Sequence, residues 1–147
     1  MIAGDATRER VRQVWRDIHE AVYYAANVTG CAQYTDIADL RARRSDLGGD
    51  LDALRCIERG GRLVSADVQQ YERLHADFTD LMRWAGDEPS PKAVEQFTTE
   101  VYGLETRVWA IVPTEHLPSG MIAQVVDDSN GKARTVRRVR RTGKLLD

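Results

Sequence analysis

Apolar residues recur at three- and four-residue steps along most of the chain, and these steps sort into four helical stretches. The clearest runs from Ser65 to Gly86, where Val68, Tyr71, Leu74, Phe78, Leu81, Met82 and Ala85 share one face of an α-helix. Ser65 is placed to cap its first turn, because a hydroxyl can accept from an unpaired backbone N–H there. Asp67 favours the positive end of the helix dipole, and Gly86 suits the left-handed residue that ends a helix. This pattern puts the third helix at the centre of the core, where truncating Phe78 or Leu81 would leave a cavity.

The other stripes are similar. The first helix is expected to begin near Asp5 or Thr7 and run to about Asn27, burying Val11, Val14, Trp15, Ile18, Val22 and Ala25, with Thr29-Gly30 closing it. The second opens with Thr35 as cap and Asp36 and Asp39 in its first turn, and its stripe is Ile37, Leu40, Leu47, Leu51, Leu54 and Ile57. Gly48-Gly49 interrupts that stripe at a cost of about 1 kcal/mol per glycine in a helix interior. The apolar phase continues across the pair, which favours one kinked helix over a fresh start capped by Asp50. Gly60-Gly61 ends the segment. Ser90-Pro91 starts the fourth helix with a cap serine followed by a residue that needs no N–H there. Its apolar side is Val94, Phe97, Val101, Leu104, Val108, Ile111 and Val112, ending before Pro113. The short connections favour antiparallel neighbours.

After Pro113 the pattern changes. Residues 121–126 (MIAQVV) form a short β-branched run, and Asn130-Gly131 is a favoured pair for a tight hairpin turn because both residues tolerate positive φ. Residues 132–139 then return as a second strand, with Val126 facing Thr135, Val125 facing Val136 and Ile122 facing Val139. The fold class is therefore mainly α: an antiparallel four-helix bundle over residues 1–113, followed by a small C-terminal β-hairpin and basic segment over 114–147. An isolated hairpin is marginal in water, so it should pack on the bundle or on a neighbouring subunit.

A chain of 147 residues is one domain by size. Its start carries charges where a leader would need an apolar run, and no stretch approaches the ~20 apolar residues of a membrane span. These features argue for a cytoplasmic protein with no membrane contact. Cys31 and Cys56 lack the CxxC or Cys/His spacing of a zinc site, and in a reducing compartment they read as free thiols.

Charge alters the picture most. The net charge of −2 hides a division: residues 1–131 hold 14 basic and 22 acidic side chains, a balance of −8. Residues 132–147 hold seven basic side chains and one acidic, a balance of +6. Counted at period two along the second strand, Arg134, Arg138 and Arg140 share a face, with Arg137 on the other. Such a segment suits an acidic protein surface or a neighbouring subunit. Arginines can also neutralise phosphates, and a two-stranded ribbon fits a major groove. No Phe, Tyr or Trp occurs in residues 114–147 on which single-stranded bases could stack.

Catalytic signals are sparse. Glu72 and His75 place a carboxylate and an imidazole one turn apart, half of a carboxylate-bridged dimetal site, but a second such pair and two further inward glutamates are missing. No GxSxG or Walker motif is present, and Asp127-Asp128-Ser129-Asn130-Gly131 lacks the alternating ligands and closing glutamate of a calcium loop. Arg12 and His19, with Gln13 and Arg16 between them, form an Arg-x(4–6)-His pattern that resembles the one in HEPN ribonucleases, which are also helical bundles. That resemblance implies a pair that would hold phosphate and assist attack by an RNA 2′-hydroxyl from two facing subunits. It covers two residues of one helix.

The sequence thus favours a non-enzymatic interaction or assembly protein whose contact surface is Arg134, Arg137, Arg138, Arg140 and Arg141, with no cofactor, metal or catalytic residue. A duplex nucleic-acid binder through the same hairpin and a HEPN-like ribonuclease are the alternatives.

Overall fold

The computed structural model describes residues 3–31, 47–113, 116, 123–127 and 133–138. Its elements are α1 (Ala3–Val28), α2 (Leu47–Arg59), α3 (Ser65–Arg83), α4 (Pro91–Trp109), β1 (Ala123–Asp127) and β2 (Ala133–Arg138). The protein is mainly α, and the four helices among the described residues pack as a bundle. The first half of the predicted second helix, the Asn130-Gly131 turn, Arg140 and Arg141 lie outside the described residues.

The central element is α1 rather than α3. It packs against each of the other three helices and most extensively against α4. Trp15 is the hub, 1% exposed, with its ring 4.9 Å from Tyr71, 5.1 Å from Phe78 and 6.4 Å from Phe97. Val68, Tyr71 and Leu74 are buried as their spacing requires, but Phe78, Leu81 and Met82 are only partly buried. The reason is coverage. Asp50, in the first turn of α2, meets α3 at Tyr71, so the described α2 lies against the N-terminal half of α3 and leaves its last two turns to α1.

Contacts also define the helix senses. Arg10 reaches Glu95 and Tyr24 meets Trp109, so α1 and α4 run in the same direction. His19 meets Asp50, and Cys31 is bonded to Cys56, so α2 also advances along α1 in the same sense. Only α3 opposes the rest, its end returning to Arg8 while its start lies beside Arg107. The antiparallel expectation therefore fails at the α1–α2 pair.

The cysteines are not free thiols. A disulfide joins them, with Cα atoms 5.9 Å apart across a sequence separation of 25. On a chain-entropy basis a loop of that size stabilises the fold by roughly 3.5 kcal/mol. Gly48 and Gly49 fall in the first turn of α2 as described, and the stretch before Leu47 on which the kinked-helix expectation depends lies outside the described residues.

Local signals at the helix ends fare unevenly. Ser90 caps α4 as its sequence demands, accepting from the Ala93 N–H at 3.1 Å, with Pro91 at the first helical position. Gly30 (φ 81°) and Gly61 (φ 77°) end α1 and α2 in paired Schellman bonds: Cys31 N–H to the Ala26 carbonyl with Gly30 N–H to Asn27, and Arg62 N–H to Ile57 with Gly61 N–H to Glu58. Ser65, however, is the first residue of α3 rather than its cap, because Val64 precedes it in extended conformation. Trp84, not Gly86, ends α3 by turning to an extended conformation (φ −55°, ψ 140°). The Trp84 indole then lies so close to Gly4 that a Cβ there would meet the ring at 2.8 Å, while Arg8 stacks 3.9 Å above that ring.

Strands β1 and β2 pair antiparallel, with Val125 opposite Thr135 and Val126 opposite Arg134. At the facing ends, where Asp127 meets Ala133, this is one position away from the predicted pairing. An irregularity between Gln124 and Val125 restores the predicted offset further out, where Gln124 faces Arg137 and Ala123 faces Arg138. The strict period-two count that grouped the arginines is therefore interrupted between Arg134 and Arg138.

Candidate functional site

The proposed contact arginines divide between described and undescribed residues. Arg134, Arg137 and Arg138 lie within the six residues of β2, while Arg140 and Arg141 fall beyond it. The bundle offers the opposite sign. Glu72, Asp77 and Asp80 are exposed on α3, and Asp87 and Glu88 continue the acidic run in the loop after it. Elsewhere charges are paired: Arg10 with Glu95 at 2.9 Å, Arg107 with Asp67 at 2.9 Å, and Arg16 with Glu9 at 2.6 Å. The hydrogen bond and charge of Arg16, helped by Arg12, hold the Glu9 carboxyl below its ordinary range.

Sequence reasoning missed a polar cluster in the core. Asp50 on α2 has no exposed surface and bridges two other helices. Its Oδ2 accepts from the Tyr71 hydroxyl on α3, and its Oδ1 lies 2.8 Å from His19 Nδ1 on α1. A carboxylate only accepts, so Nδ1 carries the proton and donates. His19 Nε2 is buried without a hydrogen-bond partner among the described residues, and the ring meets Tyr23 edge-on at 4.7 Å between centroids. One signal was available: Asp50 sits next to Leu51 in the apolar phase, and His19 follows Trp15 by one turn, so both fall on buried faces.

This cluster separates the pair on which the ribonuclease resemblance rested. His19 is 5% exposed and engaged by Asp50, whereas Arg12 is on the outside of α1 with its guanidinium 3.6 Å from Glu9. The two do not face a common site where a phosphate could sit. Glu72 and His75 also part company. Glu72 is exposed, while His75 lies half-buried with its ring 5.6 Å from Trp15 and 6.3 Å from Phe78. Among the described residues no three His, Cys, Asp or Glu side chains converge as a metal centre would require, and no helix is long and apolar enough to cross a membrane.

A shallow groove of about 450 Å³ lies between α2 and the start of α3. Arg55 and Arg59 share its lining with Glu58 and Glu72, so it favours neither an anion nor a cation. No family model matches the chain, and neither a curated protein nor a solved structure matches it.

Proposed function

We propose that the chain is a non-enzymatic interaction module: a disulfide-braced helical bundle whose basic C-terminal segment binds an acidic protein surface, that of a neighbouring copy included. The charge division carries this reading, a balance of +6 over residues 132–147 against −8 over the rest. Opposite charges of that size favour association between copies, and charge-lined surfaces speed encounter. A two-stranded β element is marginal by itself, so docking also supplies the packing it needs. The exposed acids of α3 and the following loop provide a complementary surface. The disulfide suits a non-reducing compartment, in place of the cytoplasm that the charged start and the lack of a membrane-length apolar run suggested.

The test replaces Arg134, Arg138 and Arg140 together by Ala and compares the variant with wild type by solution mass and by gel shift on duplex DNA across a salt series. Wild type should self-associate near 0.1 M salt, where the screening length is about 10 Å, and separate near 1 M, where it is about 3 Å. The variant should stay monomeric throughout with an unchanged helical melt. A shift of duplex DNA whose log affinity falls linearly with log salt, at about −0.9 per phosphate neutralised, would transfer the surface to nucleic acid. Identical behaviour of the two proteins in both assays would remove the contact surface altogether.

A further inference from the structure

The helix held by the disulfide is also the shortest of the four among the described residues. Its 13 residues bury Leu51, Ala53, Leu54 and Ile57 and no aromatic ring, whereas α4 buries Phe97, Trp109 and four aliphatic side chains over 19 residues. A helix as short as α2 has little stability of its own in water. What it buries besides those four side chains is polar. Asp50 is fully enclosed, and on the facing helix His19 Nε2 is enclosed with no hydrogen-bond partner among the described residues. If α2 moved away, Asp50 would exchange its bonds to Tyr71 and His19 for bonds to water and His19 Nε2 would gain one, so these polar groups oppose separation less than an equal apolar area would.

Against that stands one covalent tie. Cys31 occupies the position just after the Gly30 turn that ends α1, and Cys56 lies in the last turn of α2. Both cysteines are partly rather than fully buried. We infer that the Cys31–Cys56 disulfide is a redox latch that keeps α2 closed on α1 and α3, and that its reduction opens α2 locally while the packing of α1, α3 and α4 persists.

The chemistry balances as thiol–disulfide exchange. A thiolate of a dithiol reductant attacks one sulfur and forms a mixed disulfide. The reductant's second thiol closes on it, so the reductant leaves as a disulfide and two electrons and two protons remain on Cys31 and Cys56. A disulfide-bearing oxidant reverses the sequence. Opening exposes Leu51, Leu54 and Ile57 and hydrates Asp50 and His19, which gives the bundle a closed oxidised state and an open reduced state.

Hydrogen exchange read by mass spectrometry distinguishes local from global opening. Folded wild-type protein is measured before and after treatment with dithiothreitol, and a Cys31→Ser/Cys56→Ser variant is measured beside it. Peptides covering 47–59 should exchange at least about tenfold faster after reduction, while those covering 91–109 stay within about twofold. Reoxidation with glutathione disulfide should restore the slow rates in wild type and leave the variant unchanged. Unaltered exchange in α2 after complete reduction would overturn the latch, and so would equal acceleration in all four helices. Because the wild-type arm starts from folded oxidised protein, the conclusion does not depend on the variant folding.

Discussion

Tyr71 and Asp50 form the most informative pair for a double-mutant cycle, because both are fully buried and no bulk water can replace either partner. Asp50→Ala removes the acceptor for two donors at once, the Tyr71 hydroxyl and His19 Nδ1. Loss of this acceptor costs each donor about 1–3 kcal/mol, so the single change should destabilise the fold by about 2–6 kcal/mol. Tyr71→Phe removes one donor from an ionised acceptor that keeps its bond to His19, and should cost about 1.5–3 kcal/mol. When Asp50→Ala is added to Tyr71→Phe it strands only His19, so its cost there should fall to about 1–3 kcal/mol. The two changes together should therefore cost less than the sum of the singles by about 1–3 kcal/mol. Guanidinium unfolding followed by far-ultraviolet circular dichroism and by tryptophan fluorescence reads all four corners of the cycle. Additivity within about 0.5 kcal/mol would show that the hydroxyl and the carboxylate do not interact, and the buried cluster would lose its basis.

Trp15→Ala should cost about 3–5 kcal/mol, whereas Leu81→Ala, on the partly buried end of α3, should cost about 1 kcal/mol; denaturant melts that reverse this order would return the centre of the core to α3. Gly4→Ala should destabilise by about 1–3 kcal/mol because its methyl group would meet the Trp84 ring, and an unchanged thermal midpoint would show that the indole moves aside freely. Arg16→Ala should raise the Glu9 pKa toward its ordinary value, as followed by carboxyl NMR chemical shifts against pH. Since the folded pKa is depressed, whatever stability this exposed pair contributes is present above the unfolded pKa and lost as pH falls through the folded one; a Glu9 titration unaltered by Arg16→Ala would assign the shift elsewhere.

Much of the architecture was legible in the chain before any coordinates. The apolar stripes of α1, α3 and α4 marked buried faces, Ser90-Pro91 marked the start of α4, and Gly30 and Gly61 marked the ends of α1 and α2. These are local matters: a cap, a positive φ and a 3.6-residue period are set by side chains within a turn or two of one another. Tertiary structure decided everything that depends on what stands opposite. A stripe says which face of a helix is buried but not how thickly it is covered, so the centre of the core passed from α3 to α1, with Trp15 at its hub. Asp50 could be read as a cap because a carboxylate near a helix start serves that role; only the arrival of His19 and Tyr71 from two other helices made it a core acceptor. Cys31 and Cys56 carry no distance in their spacing of 25, and they became a bond because the last turn of α2 lies beside the end of α1. Periodicity and capping come from neighbours along the chain, while covalent ties, buried polar partners and helix sense come from neighbours in space.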